Sequence, residues 1–195
     1  LKAQDVYVTA LEYSGKPELA LVKRFEVVAA AREALGPDSG RLLPFVWGLG
    51  VALERAGRLE EAVVEFDHGL EIATGIYDVE EPTVLAMQVK LGIDYLTLQR
   101  PELALARARL VLGILEQAEA PQPAALAGAR LLEGRTLLVL SDHVGARSSL
   151  NEAVSLFEQL EGEDSPNAAA ARQALKATSA PDGDGEGEGA RGGGA

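Results

Sequence analysis

Residues 57–66 read GRLEEAVVEF. A Gly-Arg turn is followed by Glu60 and Glu61, placed where acids meet the positive end of a helix dipole. Ala62 comes next, and Phe66 follows one helical turn later on the same face. Weaker copies of this start recur along the chain. Steps of 42 from Ala62 reach Ala20, Ala104 and Ala146, so four alanines share one register. Twelve residues before the last three stand Gly50, Gly92 and Gly134, with Val8 in the first copy, and nine residues before stand Leu11, Leu53, Tyr95 and Leu137. A fixed period of this length means a stack of similar units, each too small to bury its own apolar face.

The segments around the alanines supply the turns. EYSGKPEL, ERAGRLEE, TLQRPELA and LSDHVGAR each end one helix and begin another. The joints between units read GPDS at 36–39, YDVEEP at 77–82, APQP at 120–123 and GEDSPN at 162–167, with Pro82 and Pro166 in phase. An acid or hydroxyl before proline marks a helix N-cap with proline at the first helical position. The pattern predicts helices near 3–14, 17–35, 41–56, 59–76, 82–98, 101–119, 123–140, 143–161 and 166–178. After Ser179 the chain runs APDGDGEGEGARGGGA, without apolar residues to bury, which predicts a disordered tail.

Composition narrows the function. The 195 residues are 47% hydrophobic but only 5% aromatic, and the bias to Ala and Leu favours helix. The net charge of −12 and pI near 4.6 oppose binding to nucleic acid or to an anionic membrane. There is no cysteine, hence no disulfide and no thiolate ligand or nucleophile. No apolar run reaches the ~20 residues that a membrane helix needs. The chain opens on Leu1 without an initiator Met or a signal-peptide layout, so the expectation is either a trimmed start or a C-terminal piece of something longer, with a cytoplasmic location.

Leu49-Gly50-x-x-Leu53, Leu91-Gly92-x-x-Tyr95 and Ala62-x-x-x-Phe66 resemble the tetratricopeptide repeat over roughly residues 1–178. The 42-residue unit with a GPDS-like joint looks like the kinesin-light-chain type of this repeat. The motif's tryptophan slot holds Gln4, Val46, Gln88 and Arg130, with Trp47 one residue later. The resemblance implies an all-α, right-handed solenoid of four helix-turn-helix units near 1–38, 39–80, 81–122 and 123–164. Helix 166–178 would act as a cap and 179–195 as the tail.

It also implies a groove lined by Trp47, Val51, Val89, Ile93, Leu131 and Arg135, with Asp5 and Thr9 in the first unit. One arginine and no asparagine at these positions disfavour a carboxylate clamp. Two readings of the apolar positions stand side by side: an open groove for a hydrophobic segment, or interior packing of a tightly wound array. The similar arrays that follow the kinase domain of large bacterial serine/threonine kinases suggest a signalling scaffold. The alternative is a regulatory sensor of a peptide or small ligand.

Nothing in the sequence assembles a catalytic, cofactor or metal constellation. Gly187-Glu-Gly189-Ala-Arg-Gly192 in the tail spells G-x-G-x-x-G, but it has neither the preceding strand nor the following helix that phosphate binding requires. His68 and His143 read as solvated surface residues, and Glu60-Glu61 and Glu80-Glu81 as acids at helix starts. Asp182, Asp184, Glu186 and Glu188 read as solvation of the tail. The expectation is therefore a monomeric, non-catalytic module with a protein or peptide partner and no cofactor.

Overall fold

The 42-residue period returns in the structure as burial. In the computed structural model Ala20 is 1% exposed and Ala62, Ala104 and Ala146 are fully buried, while Leu11, Leu53, Tyr95 and Leu137 are at most 8% exposed. The structure describes residues 8, 11 and 17–179. Apart from Val8 and Leu11, helix 3–14 lies outside the described residues, as do Asp5, Thr9 and the tail from 180 onward.

The described residues form eight α-helices and no strand. They are α1 (Pro17–Leu35), α2 (Leu43–Arg55), α3 (Leu59–Thr74), α4 (Pro82–Thr97), α5 (Pro101–Gln117), α6 (Pro123–Val139), α7 (His143–Glu161) and α8 (Pro166–Ala177). A 3-10 turn, Gly40–Leu42, leads into α2. Consecutive helices pack on one another, and α4 also touches α6, as α6 touches α8. This is an all-α solenoid, in which each unit leans on its neighbours.

The turn in GRLEE explains how each first helix stops. The Arg58 N–H donates to the Leu53 carbonyl at 2.9 Å and the Gly57 N–H to Glu54 at 3.0 Å. The same two bonds recur as Arg100 to Tyr95 with Gln99 to Leu96, and as Asp142 to Leu137 with Ser141 to Leu138. Such a pair satisfies the last carbonyls of a helix and places one residue in the left-handed region. That residue is Gly57 (φ 74°), then Gln99 (φ 57°), then Ser141 (φ 62°), each 42 apart.

The joints behave as read, with one difference. Pro82, Pro123 and Pro166 begin α4, α6 and α8, where a missing N–H leaves no bond unmade. The Ser165 hydroxyl accepts from the Ala168 N–H at 3.1 Å. Glu81 stands at the N-cap of α4 but makes no capping bond. Its extra methylene carries the carboxylate past the N–H groups that the shorter Ser, Asp and Asn reach.

Close approach depends on the register glycines. A Cβ on Gly134 would lie 2.5 Å from Leu150, and one on Gly50 or Gly92 would overlap Phe66 or Leu132. At the far end, α8 lays Ala168 and Ala171 against Ala127, Ala153 and Phe157. Leu175, half-buried, packs on the Leu137–Ala146–Leu150 cluster.

Candidate functional site

α4 and α6 occupy the same place in successive units, so equal positions face one another at 42-residue spacing. Ala86, Val89 and Ile93 of α4 form a stripe three and four residues apart, and Ala124, Gly128 and Leu131 of α6 form another. The small residues at 86, 124 and 128 leave the space between the stripes unfilled. A Cβ on Gly128 would meet only Val89, at 3.6 Å. The result is a cavity of about 530 Å³ with prolines 82, 121 and 123 at its mouth. A second cavity of about 300 Å³ shares Val89, Ile93, Ala124 and Gly128 with it and runs on to Leu131 and Arg135. Together they make one largely apolar trough.

Four of the six predicted groove residues gather here: Val89, Ile93, Leu131 and Arg135. Ile93 is 38% exposed, and Val89 and Leu131 are half-buried. Trp47 and Val51 are not among them. Trp47 is half-buried with its ring 4.6 Å from that of Phe66, and Val51 packs on the same core. Trp47 fills space beside α3, because Gly69 leaves a gap there: a Cβ on Gly69 would lie 3.7 Å from the indole. Arg135 is exposed and makes no ion pair or hydrogen bond among the described residues. It also borders a third, more polar cavity of about 660 Å³, with Gln99 and Gln173 at its edges.

The other cation at the trough is already committed. Lys90 Nζ lies 2.6 and 2.8 Å from the two carboxylate oxygens of Asp94 and 3.0 Å from Glu54. It also sits 4.6 Å above the Phe66 ring. Burial pushes the Asp94 carboxyl above its usual range, and the Lys90 hydrogen bond draws it part of the way back. Behind the trough a polar network ties three helices together. Tyr95 donates to Asp67 at 2.9 Å, and Arg107 donates to Asp67 at 2.9 Å and to Gln88 at 2.7 Å. Burial, then the Asp67 bond, raises the Tyr95 phenol. Glu133, also buried, accepts from Ser149 at 2.9 Å and from Arg130 at 3.0 Å. These bonds satisfy polar groups between the helices and hold the walls in place.

The histidines differ from expectation. Both are half-buried, and His68 Nδ1 lies 3.3 Å from Arg32, which also holds Glu65 at 2.6 Å. The Arg32 side chain, reaching across from α1, makes that contact. Among the described residues no group of three or more His, Asp or Glu could hold a metal ion. Sequence reasoning missed the mouth prolines and Gly128. The repeated proline at the joints and the Ala86–Gly128 pair, 42 apart, were the available signals. Lys90, Asp94 and Arg107 lie off the repeated positions, and no periodic signal marked them.

Residues 42–117, from the 3-10 turn through α5, match the family model described as tetratricopeptide repeat. The chain carries tetratricopeptide repeats over that segment. In fold it is similar to the nearly identical TPR-like repeats of a Podosopora anserina protein assigned as a kinesin light chain. That structure has a TM-score of 0.72 and 20% identity, with 91% of this chain and 84% of that one covered. BtubC (BKLC) from P. vanneervenii is similar at TM-score 0.67 and 19% identity, over 91% and 74% of the two chains. MamA from Desulfovibrio magneticus RS-1 follows at TM-score 0.58 and 18% identity, over 91% and 92%. A search of curated proteins found no match.

Proposed function

We propose that this chain is a non-catalytic protein-interaction scaffold that holds a partner segment in the trough between α4 and α6. The observation that carries the reading is the unfilled apolar space there. Ile93 remains 38% exposed on a wall that a closed array would bury, and the cavity of about 530 Å³ has the size of a ligand site. Val89, Ile93, Leu131 and Arg135 are its contact residues. Units near 1–38, 39–80, 81–122 and 123–164, capped by 166–178, present it on a rigid frame.

The setting we infer is the C-terminal module of a bacterial signalling protein such as a serine/threonine kinase, monomeric and cytoplasmic. It rests on the resemblance of the repeats to arrays found in that setting. Panning a displayed peptide library on the full chain tests the trough. Enriched peptides should lose binding to Ile93→Lys and keep it to Val144→Lys, a substitution on the exposed start of α7. Peptides indifferent to Ile93→Lys would refute the reading.

A further inference from the structure

The joints that lead into the lining residues Pro82 and Pro121 are acidic, although no acid lines the cavity itself. The joint that precedes α4 carries Asp78, Glu80 and Glu81, and the joint that precedes α6 carries Glu119, all exposed. None of these four carboxylates makes an ion pair or a side-chain hydrogen bond among the described residues. The two joints are held together, because the Gln122 side chain donates to the Glu80 carbonyl at 2.7 Å and Gln122 also lines the cavity. Apolar residues alternate with the acids: Ile76, Tyr77 and Val79 are 44–54% exposed in the same joint.

Charge on the joints beside the cavity is therefore net negative. The N-termini of α4 and α6 point at these joints, each worth roughly +0.5 of a charge, so they offset about one of the four carboxylates. Lys90, the only cation lining the larger cavity, is neutralised by Asp94 and Glu54. Arg135 lines the smaller cavity and not this one. A partner that enters here must bring its own positive charge, or it leaves these acids facing a like or desolvated surface.

We infer that the mouth of the α4–α6 cavity takes a protein segment whose bulky apolar side chain enters between Val89, Ile93 and Gly128 while flanking lysines or arginines meet Glu80, Glu81 and Glu119. The inference rests on the trough reading above and adds the chemistry of the occupant. The apolar side chain supplies the hold, because exposed charge pairs each contribute little and are screened by salt. The acids select which apolar segments enter, and they speed encounter.

Fluorescence anisotropy on the full chain tests this with three labelled synthetic peptides. One alternates leucine with lysine, the second replaces every lysine with glutamate, and the third replaces every leucine with alanine. The leucine–lysine peptide should bind at least about tenfold more tightly than either control and weaken as salt rises. The triple variant E80K/E81K/E119K should weaken it about tenfold and admit the glutamate peptide. Gly128→Leu, which fills the cavity, should weaken it as much, and Ala124→Trp fills the mouth from an exposed position should Gly128→Leu fail to fold. Tighter binding of the glutamate peptide would overturn the inference and leave the trough reading standing. Binding unaffected by either cavity-filling variant would reduce it to adsorption on an acidic surface and overturn it too. No binding of the leucine–lysine peptide would overturn it outright, while library peptides that depend on Ile93 would still support the trough.

Discussion

Gly50 and Gly92 stand at the same place in successive units, yet they are filled from different directions. Phe66, on the second helix of its own unit, packs over Gly50. One period later Ala108 stands where Phe66 was, too small to reach, and Leu132 comes across from the next unit to cover Gly92. Gly134 returns to the first arrangement, with Leu150 of its own unit above it. The period specifies a notch, and whichever large side chain can reach it closes it. The exchange at Gly92 also commits Leu132 inward, on the helix whose outer stripe is Ala124, Gly128 and Leu131. Between α2 and α4 the Trp47–Phe66 pair fills the corresponding space, whereas between α4 and α6 no aromatic stands at either position and the cavity opens.

The largest expected effects test this equivalence. Phe66 is fully buried and Leu132 is 2% exposed. Phe66→Ala should cost about 3–5 kcal/mol and Leu132→Ala about 2–5 kcal/mol in urea melts, from lost transfer energy and the cavity left behind. Ala108→Phe alone should cost about 1–3 kcal/mol by overpacking. Combined with Leu132→Ala it should cost clearly less than the sum, because the new ring takes the vacated notch. Additive losses would mean that Ala108 and Leu132 do not share one space.

A smaller difference separates two glycines of the same register. At Gly92 an added methyl meets the tip of Leu132, which can swing aside. At Gly134 it meets the branch carbon of Leu150 at 2.5 Å and the Ala146 carbonyl at 3.2 Å, and backbone cannot move so freely. Gly134→Ala should therefore lose about 1–2 kcal/mol. Gly92→Ala should change stability by less than about 1 kcal/mol, since helix propensity offsets most of the clash. Thermal melts that reverse this order would show that the α6–α7 approach is the softer of the two.

These contrasts show what the sequence made legible and what it did not. The spacing of Ala62, Gly50 and Leu53 carried the helix pairs, their turns and the buried register, since each is a local constraint repeated every 42 residues. Helix starts at Pro82, Pro123 and Pro166 were legible because proline has few other places to stand. The groove was legible in part. Val89, Ile93, Leu131 and Arg135 follow from position in the unit, but Trp47 does not join them, since Phe66 and Gly69 on α3 offer the indole a packed site. The cavity itself depends on small residues at 86 and 128, a pair 42 apart that the motif positions of the repeat do not include.

Asp94 gives a pH-dependent test of the trough wall. Burial raises its carboxyl above the ordinary aspartate value of 3.8, despite the bond to Lys90. A group raised in the folded state takes up its proton there first, so the folded chain gains relative stability as pH falls through that value. The gain disappears again as pH rises past it. Asp94→Asn carries no charge to bury and should be the more stable form at neutral pH, by about 1 kcal/mol or less. The advantage should vanish once the pH has fallen below the ordinary aspartate value. Calorimetry that finds Asp94→Asn less stable at neutral pH would show that the 2.6 Å contact with Lys90 outweighs the cost of burial.

The smallest expected effect returns to the turn in GRLEE. Gly57 adopts a left-handed conformation without steric penalty, but Gln99 and Ser141 hold φ of 57° and 62° at the equivalent turns. A side chain in that region costs roughly 1–2 kcal/mol, and glycine there gives back roughly 0.5–1 kcal/mol through the extra freedom of the unfolded chain. Gln99→Gly and Ser141→Gly should each stabilise the protein by about 0.5 kcal/mol. Gly57→Gln should lose a similar amount, because the left-handed penalty then falls on the one turn among the described residues that avoids it. The three residues make no hydrogen bond with one another, so their effects should add. Denaturant melts of the singles and of the Gln99→Gly/Ser141→Gly double would resolve this. A loss on changing either residue to glycine would mean that its side chain contributes more at the turn than its backbone costs, and the three turns would no longer be equivalent.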